Sequence, residues 1–117
     1  MAFFISGARK MKTYIAGPMT GLPEFNRPAF NAAAKEIAAA GHVPLNPAIL
    51  PDGLSQPDYM CICMAMLQRA DAIYMLDGWQ SSAGARAEYA LAEKLDIEIL
   101  FQDMTIVEML MRNASLK

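Results

Sequence analysis

The chain has 117 residues, of which 55% are hydrophobic and 19% are charged, so it is long enough to bury the core of one domain. Its net charge is −2, and the sequence contains no basic patch of the kind that binds duplex DNA or RNA. No apolar run approaches the length of a membrane-spanning helix. These features argue against a nucleic-acid polymer or a membrane as partner, and they are compatible with a small ligand, including an anionic one.

The cysteine and histidine content argues against a metal site and a disulfide. Cys61 and Cys63 lie two positions apart in a predicted helix, where side chains at this spacing do not face each other. His42 is the only histidine, and we expect it to be structural. We therefore predict reduced thiols, a cytoplasmic location, and no metal or organic cofactor.

The first half of the chain predicts two strands separated by one helix. Residues 1–11 are expected to form an extension outside the core domain of residues 12–117, or else to add an edge strand. Asn26 is a suitable N-cap for the helix, and Gly41 is a suitable stop. The predicted elements are a strand at 12–17, a helix at 27–40 with the apolar stripe Phe30, Ala34, Ile37 and Ala38, and a strand at 42–46 whose Pro44 favours a sheet edge.

The second half continues the alternation of strands and helices. The loop at 47–57 contains three prolines and is long enough to form a wall or a lid of a site. Asp58 is expected to cap the helix that follows it. The predicted elements are a helix at 59–69, a strand at 71–76, a helix at 83–95, a strand at 96–101 and a closing helix at 104–111.

This order of elements predicts an α/β fold. Regular alternation indicates a single three-layer α/β/α domain of flavodoxin or Rossmann type, with a parallel sheet of four to five strands. Ligands of such folds bind beyond the carboxyl ends of the strands, at the switch in strand order. We therefore expect the loops after Gly17, Asn46 and Asp77 to meet there.

The segment from Asp77 to Ala92 carries the most chemical information. It joins a strand end, a Ser/Gly turn and an alanine-rich helix, whose N-terminus offers backbone N–H groups to a ligand. Glu88 stands in this helix among small neighbours, where the helix dipole is expected to favour its ionised form. An ionised carboxylate can attack an electrophilic sugar carbon. The alternative interpretation is a solvated helix glutamate.

Two motifs resemble the nucleoside 2-deoxyribosyltransferase-like superfamily. They are Tyr14-Ile-Ala-Gly-Pro18 at the end of the first strand and Ser82-Ala-Gly-Ala-Arg-Ala-Glu-Tyr-Ala-Leu91. The opening YIAGPMTG and the closing GARAEYALA are most similar to the DUF4406 branch, and the similarity covers about residues 11–102. The resemblance implies a nucleoside or nucleotide ligand and a homodimer or higher homo-oligomer.

The resemblance also implies roles for single residues. Glu88 matches a catalytic glutamate that attacks C1′ of a deoxyribose. Tyr14 matches the tyrosine that positions this glutamate through a hydrogen bond. Gly17 and Pro18 match the turn that lets the backbone approach the base and the sugar.

Further candidate ligand contacts lie in the second motif and just before it. Ser82 matches a serine that contacts the phosphate in relatives that hydrolyse deoxynucleoside 5′-monophosphates, and the helix amides near Gly84 would assist it. Arg86 either adds a cation or is a surface residue. Asp77 either binds a ribose hydroxyl or caps the turn. Trp79 either stacks on a base or covers the edge of the core.

The chain departs from the resemblance at one position. Active members carry an aspartate about eight residues before the position of Asp71, and Cys63 stands there in this chain. A neutral thiol is a poor general acid. Either Asp58 or Asp71 substitutes for it, or the chain is a weak enzyme, or it only binds nucleotides. We expect cleavage or base exchange at the N-glycosidic bond of a deoxynucleoside or its 5′-monophosphate, with a nucleotide-binding module without turnover as the alternative.

Overall fold

The structure is a computed structural model that describes residues 9–103. The helix predicted at 104–111 and residues 1–8 of the predicted extension lie outside the described residues. The strands are β1 (Lys12–Ala16), β2 (Val43–Leu45), β3 (Ala72–Met75) and β4 (Glu98–Phe101), and the helices are α1 (Arg27–Ala39), α2 (Gln56–Gln68) and α3 (Ala83–Lys94). Short 3₁₀ turns lie at Pro23–Asn26, Pro47–Ile49 and Trp79–Ser81.

The four strands form one parallel sheet in the order β2-β1-β3-β4. The chain leaves β1 toward β2 and then returns to the other side of β1 to form β3, so the strand order switches between β1 and β3. This topology confirms the predicted α/β fold, with four strands in the described part of the chain. None of the helices formed by residues 9–103 has the length and apolar character needed to cross a membrane.

Alternating residues of the central strands build two cores, one on each face of the sheet. Ile15 points into a cluster with Phe30 and Ile37 of α1. Its neighbour Tyr14 points into a second cluster that contains Leu67 of α2 and several residues of α3. Because successive strand residues face opposite sides, β1 supports both helix layers. The result is the predicted three-layer arrangement.

The start of α1 at Arg27 agrees with the prediction, but the side-chain contact of its N-cap residue differs. Asn26 precedes the helix in a left-handed conformation (φ 59°), and its side chain makes no capping bond to the first turn. Its Nδ2 instead donates to the backbone oxygen of Pro18 at 2.9 Å. The buried stripe also differs, because Ala33 is buried and Ala38 is exposed. Asn26 therefore occupies the predicted N-cap position, but its side chain does not bond to the helix.

The start of α2 is earlier than predicted. Ser55 is the N-cap, and its Oγ accepts from the backbone N–H of Asp58 at 3.2 Å. Asp58 completes a capping box by accepting from the Ser55 N–H at 3.0 Å, and this backbone bond lowers the pKa of Asp58. Asp58 thus lies inside the first turn, and its predicted role as the N-cap residue was wrong.

The sheet edge at β2 confirms two predictions. Pro44 lies on β2, an edge strand of the sheet that residues 9–103 form, where a residue without an N–H is tolerated. His42, just before β2, is buried, and its Nδ1 accepts from the backbone N–H of Met11 at 2.9 Å. Met11 is itself buried in the α1-side core, so the fold includes this residue of the predicted extension.

Candidate active site

A cavity of about 400 Å³ opens at the carboxyl edge of the sheet. Its walls come from the segment after β1, the loop between β2 and α2, and the first two turns of α2 and α3. This is the switch in strand order, where ligands of such folds bind, and the volume is that of a small-molecule site. Apolar side chains cover much of the wall: Met19, Phe30, Leu50, Leu54 and Met60.

The cavity contains a hydrogen-bonded pair of buried side chains. Tyr14 Oη donates to Glu88 Oε2 at 2.6 Å. Tyr14 is only 1% exposed and Glu88 only 7% exposed, yet both line the cavity. Tyr14 lies on the face of β1 that α3 covers, and Glu88 lies in the second turn of α3. The alternative of a solvated Glu88 is therefore wrong, and the contact implied by the family resemblance is present.

The ionisation of Glu88 differs from the expectation. Burial raises its pKa from 4.5 to about 7, although the hydrogen bond from Tyr14 acts in the opposite direction. Only the first four N–H groups of a helix lack intrahelical partners, and Glu88 is the sixth residue of α3. Loss of hydration therefore outweighs the helix dipole, and the prediction that the dipole holds Glu88 ionised was wrong. Burial, followed by the negative charge of Glu88, raises the pKa of Tyr14 well above its ordinary value.

Cys63 joins this pair in the cavity wall. It lies in the second turn of α2 and is buried, with its thiol beside Tyr14 and Glu88. Burial raises the pKa of the Cys63 thiol, an interaction with the Tyr14 hydroxyl opposes this rise, and the Glu88 charge adds to it. The thiol is thus protonated near neutral pH.

Neither proposed substitute for the missing acid reaches the cavity. The exposed carboxylate of Asp58 is held in the capping box of α2. Asp71 precedes β3 at the opposite, amino edge of the sheet, where it accepts from Lys12 N at 2.9 Å and Arg9 Nη2 at 3.1 Å. The bond from the Lys12 N–H lowers the pKa of Asp71. Both hypotheses of substitution are therefore wrong.

Metal ligation has no structural support within the described part of the chain. No group of three or more histidine, cysteine, aspartate or glutamate side chains in residues 9–103 is arranged to hold a metal ion. Cys61 and Cys63 are both free, one exposed and the other buried.

Gly17 lines the cavity, and close packing explains why a glycine occupies this position. A Cβ atom at this position would lie 2.8 Å from Cβ of Leu76, closer than side-chain carbons approach in proteins. Glycine therefore allows β1 to end against the segment after β3. Pro18, the next residue, does not line the cavity, and its carbonyl accepts the Asn26 bond described above.

Ser82 and Gly84 both line the cavity. Ser82 is the N-cap of α3, and its Oγ accepts from the backbone N–H of Ala85 at 3.1 Å. This bond uses an oxygen lone pair, so the hydroxyl hydrogen of Ser82 is available for a ligand. The start of α3 thus presents a small polar surface to the cavity.

Besides Pro18, three predicted ligand contacts do not line the cavity. Asp77 is exposed after β3, where its backbone N–H donates to Gln102. Trp79 stacks on Tyr89 with ring centroids 4.8 Å apart and covers the edge of the core. Arg86 is exposed and donates to the Gln80 carbonyl at 2.8 Å. The core-edge interpretation of Trp79 and the surface interpretation of Arg86 fit these positions.

The sequence interpretation missed a charged and aromatic cluster in the wall. Arg27 Nη2 donates to Asp52 Oδ1 at 2.6 Å, and the Arg27 guanidinium lies 5.4 Å from the ring centre of Phe25. All three side chains line the cavity. Tyr59 Oη anchors the loop that carries Asp52 by donating to the Pro51 carbonyl at 2.7 Å. This loop was predicted as a wall or a lid of a site, but the spacing of its residues does not indicate which side chains face the cavity.

The fold and this site define an α/β protein with a buried carboxylate–phenol pair in a cavity at the switch point of a parallel sheet. The chain belongs to the family described as Domain of unknown function (DUF4406), whose model matches residues 11–101. The match confirms the family that the two motifs indicated. No curated protein matches the chain significantly.

Proposed function

We propose that the protein cleaves, or exchanges the base at, the N-glycosidic bond of a deoxynucleoside or its 5′-monophosphate. The observation that carries this proposal is the burial of Glu88 in a cavity of about 400 Å³, with Tyr14 donating to it at 2.6 Å. A carboxylate removed from water without an ion-pair partner is costly, and such groups concentrate at functional sites. The resemblance to the 2-deoxyribosyltransferase-like superfamily supports the same assignment.

The proposed reaction proceeds in two displacements. One oxygen of Glu88 bonds to C1′ while the C1′–N bond breaks, and the bond electrons leave with the base, which takes a proton from solvent. Water then attacks C1′, loses a proton to solvent, and releases the sugar as the ester bond to Glu88 breaks. In base exchange, a nitrogen of a second base replaces the water. Two inversions at C1′ retain the configuration.

Tyr14 has a positioning role in this scheme. Its hydrogen bond stabilises the ionised form of Glu88 and lowers a pKa that burial alone would raise further. The bond also fixes the carboxylate of Glu88, which lines the cavity. Ser82, with the helix amides near Gly84, would hold the 5′ end of the sugar.

A nucleotide-binding module without turnover is the second candidate. Cys63 supports it, because a protonated thiol stands where active relatives carry an acid. Asp58 and Asp71 are both directed elsewhere, so neither carboxylate replaces it at that position.

We also propose that the protein self-associates. The outer face of α2 exposes Cys61, Ile62 and Ala65, an apolar surface that another subunit can cover. We propose at least a homodimer, and a cytoplasmic location in keeping with the free thiols. A monomeric mass by light scattering at micromolar concentration would contradict the dimer.

The decisive experiment incubates the protein with deoxynucleosides and their 5′-monophosphates and measures free base by chromatography. We expect release by the unaltered protein and a loss of about a thousandfold or more in Glu88→Ala and Glu88→Gln. Glu93→Gln is the matched control, because Glu93 lies on the same helix and is exposed. Absence of release from every substrate would remove the enzymatic proposal. Ligand-dependent melting with intact substrate recovered would then select the binding module.

A further inference from the structure

The cluster of Phe25, Arg27 and Asp52 has no role in the chemistry at Glu88. Phe25 and Arg27 follow β1, and Asp52 lies in the loop after β2. Ser82 and Glu88 instead follow β3, on the other side of β1 in the sheet. A ligand that fills the cavity therefore meets the cluster at one side and the Ser82 region at the other.

Phe25 is held in the cavity wall by a backbone conformation that is energetically unfavourable. Glu24, Phe25 and Asn26 all have left-handed φ angles, between 53° and 59°, which non-glycine residues rarely adopt. Phe25 is nevertheless 49% exposed, so burial of its ring does not compensate for this conformation. Residues kept in such conformations concentrate at ligand sites. The exposed ring, with Arg27 over part of it, provides a surface on which a flat heterocycle can stack.

The polar atoms beside this ring form a specific pattern. Arg27 donates through a planar fork, and the Asp52 carboxylate that it holds only accepts. Together they offer two adjacent donors followed by an acceptor. Guanine (N7, O6, N1–H) and cytosine (O2, N3, N4–H) present the complementary order of two adjacent acceptors and a donor. Adenine and thymine alternate donors with acceptors, so they match this order at fewer positions.

We propose that Phe25, Arg27 and Asp52 form the base-recognition subsite and select guanine or cytosine nucleotides over those of adenine or thymine. This inference rests on the proposed function, since it assumes that a nucleobase enters the cavity. Arg27 is the only cation among the described residues that line the cavity. Asp52 at 2.6 Å makes the same place unfavourable for a phosphate, because a second anion would be repelled there.

The test measures binding by calorimetry to the Glu88→Gln variant, which separates recognition from turnover. The ligands are the 5′-monophosphates of deoxyguanosine, deoxycytidine, deoxyadenosine and thymidine. We expect the guanine or the cytosine nucleotide to bind about tenfold or more tightly than the adenine and thymine nucleotides. Adding Arg27→Lys, which keeps the charge but removes the fork, should abolish this preference, and Asp52→Asn should reduce it. Lys35→Gln, on an exposed face of α1, is the matched control.

The outcomes separate this inference from the proposed function. Equal binding of all four nucleotides, no binding of any, or a preference that survives Arg27→Lys would overturn the inference. Base release that depends on Glu88 but shows no base preference would support the enzymatic proposal and reject the base-recognition subsite. A base preference in Glu88→Gln without release by the unaltered protein would support the subsite and reject the enzyme.

Discussion

Tyr14 and Glu88 are 74 positions apart in the chain, and a hydrogen bond of 2.6 Å joins them in the cavity. One residue belongs to the central strand β1 and the other to α3, so the bond ties the sheet to the helix layer at the proposed site. Both side chains are almost fully removed from water. The bond therefore affects both the ionisation of the carboxylate and the stability of the fold.

The first prediction concerns the pH dependence of activity. A glutamate nucleophile must be ionised, so kcat/KM should rise with pH through about 7, the pKa that burial imposes on Glu88. Tyr14→Phe removes the bond that lowers this pKa, and the rising limb should move to higher pH. Rates between about pH 5 and 9, together with a ¹³C NMR titration of the carboxyl group, provide the measurement. An unchanged titration in Tyr14→Phe would contradict the positioning role.

The second prediction concerns stability. The Glu88 pKa is about 7 in the folded protein and 4.5 as its ordinary value, so the folded state binds more protons between these pH values. The stability that protonation of Glu88 contributes is therefore fully present below about pH 4.5. It is lost as the pH rises through about 7, by at most about 3 kcal/mol. The Glu88→Gln variant has no carboxyl group to titrate, so its stability should not fall in this way. Urea unfolding should show the variant to be more stable than the unaltered protein near pH 8 and similar to it near pH 4. Equal stability of the two proteins near pH 8 would show that the carboxylate is not desolvated.

The third prediction concerns the glycines of the cavity wall. Gly17→Ala places a Cβ 2.8 Å from Leu76 and should destabilise the fold by about 1–3 kcal/mol. Gly84→Ala is the control, because its Cβ would meet only ordinary contacts, the nearest at 3.8 Å from Met60. Alanine in this helical position should be neutral or stabilise by up to about 1 kcal/mol. Similar free energies of unfolding for the two variants would show that β1 can move away from Leu76.

The fourth prediction concerns Trp79, the only tryptophan of the chain. Its ring stacks on Tyr89 outside the cavity, so Trp79→Ala should cost about 1–3 kcal/mol of stability. Trp79→Phe should retain most of the packing and leave nucleotide affinity unchanged. Urea unfolding and calorimetry give the two measurements. A large loss of affinity in Trp79→Phe would instead indicate that this ring stacks on the base.

The helix starts show where sequence patterns fail. Asn26 is the N-cap residue of α1, as predicted, but makes no side-chain cap bond, whereas Asp58 lies at the third position of α2 instead of at its N-cap. The Asn26 side chain bonds to the Pro18 carbonyl instead of to the first turn of α1, and Ser55 takes the cap three residues before Asp58. Capping preferences of single residues are small, so a tertiary bond or a better neighbouring cap decides between candidates.

The amino-acid sequence by itself determined the order of strands and helices, the parallel α/β fold, the family, and the pairing of Tyr14 with Glu88 as candidates. Hydrophobic period and motif spacing are local properties, so they can be read from the sequence alone. The tertiary structure alone decided that Glu88 is desolvated, that Trp79 and Arg86 face away from the cavity, and that Arg27 meets Asp52 within it. These facts depend on contacts between distant segments, because burial and ion pairing follow from what the folded chain places around each side chain.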